Sequence, residues 1–313
     1  MSTEPQSESG SAVGFTELIL GMRAAYARGE NAMEFARTIM GAGPNLSVAT
    51  LIAYDLQAGS YVTDVRAEFA ENERWCKQLA EVLKPMLTAH SSVLEVGAGE
   101  ATTLAGVIRQ LPQAPRYTLG FDISWSRCAA GLAWLAEQEV SGMLFVADLF
   151  NIPLEDASVD VVYTSHSIEP NGGRETDAIR ELMRIARRAV VLVEPIYEFA
   201  SSEAQERMRR HGYVRGLKET AERLGAKVVE YRLLDYARNP LNPSGLLVIA
   251  KQDGDVRTVD VPHDVRWRCP LTHTPMKDVG DVYVGRAGIV YPVLRHIPLL
   301  RSEHAIIASS ITG

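Results

Sequence analysis

The chain is poor in cysteine: Cys76, Cys128 and Cys269 are the three among 313 residues. Far apart and odd in number, they build neither a disulfide framework nor a paired zinc motif, so no metal site is expected and a reducing cytoplasm fits. Clustered positive charge is missing too. The net charge is −7 with Lys and Arg dispersed, which gives no electrostatic footprint for a nucleic-acid partner. No run approaches the ~20 apolar residues that span a bilayer. Nor does a basic segment followed by an apolar stretch open the chain, so neither membrane association nor a processed leader is expected.

What is present suffices for one large core and a smaller appended unit, since 46% of the residues are apolar. Residues 1–14, rich in Ser, Glu, Pro and Gly, read as a floppy tail. Residues 15–65 read as a helical lid. Leu18, Met22 and Ala25 and then Met33, Ala36 and Met40 recur at helical spacing with a break at Gly29, Gly41–Asn45 closes the pair, and a third helix starts near Leu46. Residues 66–252 read as a sheet domain entered by an amphipathic helix over 68–87, and residues 253–313 as a small β module.

The centre of the chain is Ser92-Val93-Leu94-Glu95-Val96-Gly97-Ala98-Gly99-Glu100, an apolar strand, a small-residue turn and then a helical pattern from Thr102. Gly97 and Gly99 permit positive φ and let the backbone touch a ligand, while the free N–H groups of the next helix face the same spot. A nucleotide-like ligand belongs there. The dinucleotide fingerprint wants a third glycine where this chain has Thr102, which disfavours NAD.

Glu95 in the strand end is followed by Leu119-Gly120-Phe121-Asp122-Ile123-Ser124, by Phe145-Val146-Ala147-Asp148-Leu149, and by an Asp-led apolar strand at Asp160–Tyr163. In this order the segments resemble the class I S-adenosylmethionine-dependent methyltransferases, over roughly residues 50–251. The resemblance implies an α/β fold: a Rossmann-like, doubly wound seven-stranded sheet whose sixth and seventh strands form an antiparallel edge hairpin. It implies S-adenosylmethionine as cofactor, held by Glu95, Gly97, Ala98 and Gly99. Asp122 and Ile123 would lie at the ribose, Asp148 and Leu149 at the adenine, and Ser165 in the same cofactor set. Asp122 or Ser124 serves equally as a helix N-cap, and both roles are compatible. Tyr54, Gln57 and Tyr61 match the stretch that closes over the methionine end, where a Tyr face attracts a sulfonium; the other reading is that the two tyrosines pack a helical hairpin.

The fourth strand runs into Thr164-Ser165-His166-Ser167-Ile168-Glu169-Pro170-Asn171-Gly172-Gly173. Ligands sit outside the carboxyl ends of strands in such sheets, so this loop faces the reacting end of the cofactor. His166 is a base candidate, Glu169 an acid or base, and Asn171 an amide on a flexible Gly-Gly. His166 serves equally as a helix cap, and methyl transfer also proceeds by positioning alone. Tyr197, after the fifth strand, would wall the pocket from the other side. Arg207, Arg209, Arg210, His211 and Arg215 either grip an anionic group or form a solvated face.

The expected reaction is methyl transfer to a small-molecule or sugar-like acceptor. The alternative is attack on the methionine chain, by cyclisation or aminocarboxypropyl transfer, releasing methylthioadenosine. Residues 269–276 and 288–300 resemble the small zinc-ribbon-like activators of methyltransferases, although Cys269 and His273 lack a second ligand pair. The module is therefore expected to be metal-free and to pack on the core, contribute to the pocket, or mediate homodimerisation.

Overall fold

The computed structural model describes residues 14–40, 47–251, 256 and 262–311. The tail over 1–13, the Gly41–Leu46 segment and the Gln252–Asp255 hinge lie outside the described residues. The chain divides into two compact units, Met1–Gln57 and Ala58–Gly313.

The first unit holds α1 (Phe15–Ala27), α2 (Ala32–Met40) and α3 (Ser47–Leu56). Their small and apolar faces bury Leu18, Met22, Ala36, Ala49 and Ile52 against one another. Gly29 takes φ +76° at the corner between α1 and α2, and the Asn31 side chain caps α2 by accepting the Met33 N–H at 2.9 Å.

The second unit opens with α4 (Ser60–Ala67) and α5 (Phe69–Leu83). The division falls after Gln57, not at residue 65, and the reason is a buried carboxylate. Glu100, in the turn after the first strand, accepts the N–H groups of Gly59 at 2.9 Å and Val62 at 2.8 Å, which ties α4 to the sheet. The helix expected over 68–87 ends at Leu83 because Pro85 starts a 3₁₀ turn over Lys84–Met86.

There follow β1 (Ser92–Val96), α6 (Thr102–Gln110), β2 (Tyr117–Asp122), α7 (Trp125–Glu137), β3 (Met143–Val146), β4 (Val159–Ser165), α8 (Glu175–Ile185), β5 (Ala186–Pro195), α9 (Ser202–His211), α10 (Leu217–Arg223), β6 (Lys227–Leu233) and β7 (Ser244–Ala250). The seven strands stand in the order β3-β2-β1-β4-β5-β7-β6, parallel except for β7, which is antiparallel to both β5 and β6. Alternation along the strands feeds two cores: Val161 and Tyr163 pack with α5–α7, while Val162 packs with α8 and α10. Each such fully buried aliphatic contributes roughly 1.5–3 kcal/mol.

The apolar run Ala189–Val193 predicts the fifth strand, and β5 starts three residues before it, at Ala186. Arg187 and Arg188 look like the polar face of a continuing helix, yet both reach the buried Asp160, at 2.5 and 3.2 Å. Asp160 also accepts the Ser92 N–H at 2.9 Å, so these arginines belong to the sheet and override local helix propensity.

The C-terminal module is an antiparallel sheet of β8 (Trp267–Arg268), β9 (Pro275–Asp278), β10 (Val282–Val284), β11 (Ile289–Leu294), β12 (Ile297–Pro298) and β13 (Ile306–Ile307). It packs on the core, the first of the three roles open for it. Leu299 bridges Val146 in parallel, and the Leu300 N–H donates to the Val146 carbonyl at 2.8 Å, so the module covers the exposed edge of β3. Cys269 Sγ is engaged by the Thr272 N–H at 3.3 Å and the Tyr291 hydroxyl at 3.4 Å. Among the described residues no group of three His, Cys, Asp or Glu could hold a metal, and no helix is long and apolar enough to cross a membrane.

Candidate functional site

At the C-terminal end of β1 the chain turns through Gly97 at φ +64° and Gly99 at φ +54°. A Cβ on Gly97 would stand 2.5 Å from the Ser167 Cβ, so the close approach of the two loops requires glycine at this position. Beneath the turn, Glu95 is fully buried, accepting the Tyr163 hydroxyl at 3.0 Å and the Leu104 N–H. Burial pushes its carboxyl up to about 8, against the opposing pull of those two hydrogen bonds. Asp122, at the end of β2, accepts the Gly99 N–H at 3.1 Å and the Ser124 N–H at 2.9 Å. Burial raises its carboxyl above the ordinary range, opposed by those bonds and by Arg127. Arg127 lies with its guanidinium 4.7 Å from the centre of the Tyr61 ring.

At the end of β4 the His166 backbone adopts φ +55°, a conformation a non-glycine residue holds only when its surroundings impose it. Glu194, at the end of β5, imposes it: one carboxylate oxygen accepts the N–H groups of Ser167 at 3.1 Å and Ile168 at 3.3 Å, and the other that of Glu169 at 3.1 Å. Burial, opposed by the neighbouring His166, pushes the Glu194 carboxyl up to about 7. Both ring nitrogens of His166 are engaged. Nδ1 lies 2.9 Å from Glu169 Oε2 and Nε2 lies 2.7 Å from Ser244 Oγ. Trp75 meets the imidazole edge-on with ring centres 5.5 Å apart, and its Nε1–H donates to Ser165 Oγ at 3.3 Å. Burial would lower the His166 pKa; its bond to Glu169 and the charges of Glu169 and Glu194 outweigh that and raise it. A pocket of about 280 Å³ opens here, between α4, α5, the start of α6 and the Asn239–Ser244 segment.

Residues 94–193 match the family model of the methyltransferase domain. These residues carry a methyltransferase domain. Its cofactor is S-adenosylmethionine. Among solved structures, the chain is similar to the complex built around the Trm112 methyltransferase activator of Haloferax volcanii (17% identity, 63% of this chain and 97% of that one, TM-score 0.48). It is also similar to a SAM-dependent methyltransferase from Aquifex aeolicus (15% identity, 54% and 87%, TM-score 0.42). A third is the magnesium protoporphyrin IX methyltransferase ChlM from Synechocystis PCC 6803 with bound SAH (14% identity, 74% and 98%, TM-score 0.43). No curated protein matches the chain.

The methyltransferase loop fits its cofactor. The bare Gly97 leaves the turn against β4 free of side chain, and the Ser167 hydroxyl beside it is buried with no protein partner. Of the expected catalytic residues, the domain brings His166 and Glu169 together. Asn171 sits apart: its Nδ2–H donates to the Ile168 carbonyl at 3.2 Å and closes the local turn. Of the Gly-Gly after it, Gly172 is packed, with its N–H on the Gly212 carbonyl at 3.0 Å and no room for a Cβ, whereas Gly173 at φ +89° has open space around it; the flexible carrier expected there is thus held at its first residue. Tyr197 faces away from the His166 pocket, with its hydroxyl on Arg209 of α9.

Of the expected cofactor residues, Gly97, Ala98, Gly99 and Asp122 form one turn, the Ala98 N–H donating to the Phe121 carbonyl at 2.7 Å. Ile123 and Leu149 are half-buried beyond the ends of β2 and β3. Asp148 holds the Phe150 N–H at 2.9 Å with one oxygen. Ser165 and Tyr61 line the 280 Å³ pocket, whereas Tyr54 and Gln57 belong to the first unit. Ser124 caps α7 by accepting the Arg127 N–H at 3.2 Å, so the cap and the Asp122 brace coexist. Sequence reasoning missed Trp75, Asn242 and Ser244. No local signal marks them, because they stand 90, 76 and 78 residues from their respective partners Ser165, His166 and His166.

Proposed function

We propose that the domain transfers a methyl group to a small-molecule or sugar-like acceptor carrying a hydroxyl or amine. The observation that carries this reading is the pocket of about 280 Å³ where β4 ends, whose wall combines an aromatic face, Trp75, with the polar groups His166, Asn242 and Ser244. A recess of that size with few convergent polar groups suits a compact ligand. When bound, S-adenosylmethionine supplies an electrophilic methyl group on a sulfonium.

The geometry above supports an assignment of the cofactor residues. The Gly97–Gly99 backbone would cradle it and Asp122 would take the ribose hydroxyls. The Asp122 carboxylate already accepts the backbone N–H groups of Gly99, Ser124 and Ile123, and its remaining acceptor capacity would serve the sugar. Asp148 and Leu149 would border the adenine and Ser165 the reacting end. The C-terminal module would act in cis, as a fixed cover on the β3 edge.

The test is incubation of the purified protein with S-adenosylmethionine, alone and with a panel of small hydroxylated and amino compounds, followed by mass spectrometry of all adenosine-containing species. S-adenosylhomocysteine formed only with an acceptor supports the reading. Methylthioadenosine formed without one overturns it in favour of attack on the methionine chain, and methylation confined to folded RNA or protein overturns the acceptor class.

A further inference from the structure

The His166 ring leaves no nitrogen for the acceptor. Nδ1 is turned to Glu169 at 2.9 Å, with Asn242 Nδ2 farther off at 3.3 Å, Nε2 is turned to Ser244, and the edge of Trp75 meets the ring. Ser244 lines the same pocket as His166, and with both ring nitrogens engaged it is the Ser244 hydroxyl, bonded to Nε2, that connects the pocket wall to the ring.

The hydrogen-bond directions around the ring are fixed from outside. Arg207 of α9 donates to Asn242 Oδ1 at 3.5 Å, which turns the Asn242 Nδ2–H toward Glu169 Oε2, 3.2 Å away. Glu169 Oε2 thus faces two groups, Asn242 Nδ2 and His166 Nδ1, and as a carboxylate it only accepts. Nδ1 then carries the proton in the neutral ring, and Nε2 presents a lone pair to Ser244 O–H.

We propose that Ser244 is the proton port of the methyl transfer, with Glu169 as the positioning residue that fixes the His166 tautomer; this rests on the methyltransferase reading of the pocket. As the acceptor's oxygen or nitrogen gains the methyl group, its proton passes to Ser244 Oγ and the Ser244 hydroxyl proton passes to His166 Nε2. The imidazolium so formed keeps its Nδ1–H on the Glu169 carboxylate, and the proton leaves to solvent on release. No oxidant or further reactant is needed. The groups that face this ring or its carboxylate are Glu169 on the loop, Glu194 on β5, Tyr213 after α9, and Arg207 through Asn242. Their balance favours a charge on the ring after the transfer, and the relay requires the ring to be neutral before it.

The experiment is long-range ¹H–¹⁵N correlation on the full chain labelled at histidine nitrogen, with His166→Gln assigning the signal, over about pH 6–10 to capture the neutral form. The expected result is the Nδ1–H tautomer with a bare Nε2, retained in Ser244→Ala and lost in Glu169→Leu. A neutral ring protonated at Nε2 overturns the proposal, because Ser244 then has nowhere to pass its proton. With any acceptor the wild type methylates in the panel above, Ser244→Ala lowers kcat about 10²–10⁴-fold at unchanged KM, and Ser244→Thr restores it; an unchanged kcat also overturns the relay. Calorimetry with S-adenosylmethionine on the same samples tests the underlying reading separately. Absent binding sinks that reading whatever the tautomer, and binding together with an Nε2–H ring sinks the relay alone.

Discussion

Replacing Glu95 by Gln should change how stability depends on pH more than it changes stability itself. The carboxyl is fully buried beneath the glycine turn and titrates at about 8 in the folded chain, against 4.5 in an exposed carboxylate. As pH rises above 4.5 the unfolded chain gives up this proton and the folded chain keeps it, so folding loses stability until about pH 8 and none beyond. The slope over that window is about 1.4 kcal/mol per pH unit, and the whole loss is about 3–5 kcal/mol. Glutamine keeps the shape and an acceptor for the Tyr163 hydroxyl but cannot ionise. Glu95→Gln should therefore lie within about 1 kcal/mol of the parent near pH 5 and exceed it by about 2–4 kcal/mol near pH 8.5, the two curves crossing between. Denaturant titration followed by tryptophan fluorescence reads this unit alone, because Trp75, Trp125, Trp134 and Trp267 all lie beyond Gln57. Curves that stay parallel from acid to alkali would refute the account of a protonated Glu95.

Glu194, at about 7 in the folded chain, should add a second, shallower loss between pH 4.5 and 7, visible as a reduced slope in Glu194→Gln under the same titration. Gly97→Ala places a methyl 2.5 Å from the Ser167 Cβ on a left-handed backbone; strain of about 1–2 kcal/mol plus the overlap should weaken S-adenosylmethionine binding at least about tenfold by calorimetry, and wild-type affinity would show that the two loops separate freely. Asp122→Ala should weaken the same binding by about 1–3 kcal/mol, an unchanged Kd removing it from the ribose site. Ile297→Asp, in the strand that carries the module onto β3, should lower stability by about 2–5 kcal/mol, whereas an unmoved denaturation midpoint would mean the module is a passenger.

The parallel core was legible because each of its strands advertises itself locally. An apolar run ending in Glu95-Val96-Gly97, in Asp122 or in Asp148 needs no partner to be read, and the order of those endings is the order of the strands. Where a boundary depended on a distant charge the reading slipped: Arg187 and Arg188 belong to β5 because Asp160 holds them, and α4 belongs with the sheet because Glu100 caps it. The loop after β4 was found by its position outside the strand ends, and His166 and Glu169 by residue type. Ser244 and Trp75 carry no such signature. A serine opening a late strand and a tryptophan on an amphipathic helix read as ordinary packing until the fold closes them around one ring.

The cost of holding that ring explains why so much polar machinery sits at one strand end. A left-handed His166 and a buried Glu194 both oppose folding, the first by roughly 1–3 kcal/mol of backbone strain. Glu194 offsets the strain by binding three consecutive N–H groups of the loop, while its burial, against the pull of those bonds, pushes its carboxyl up to about 7. The same carboxyl raises the His166 pKa through its charge once that proton is lost. Loop conformation and ring charge are thus set by one residue, so Glu194→Gln should loosen the loop only slightly while lowering the His166 pKa, and a histidine titration that does not move would separate the two roles.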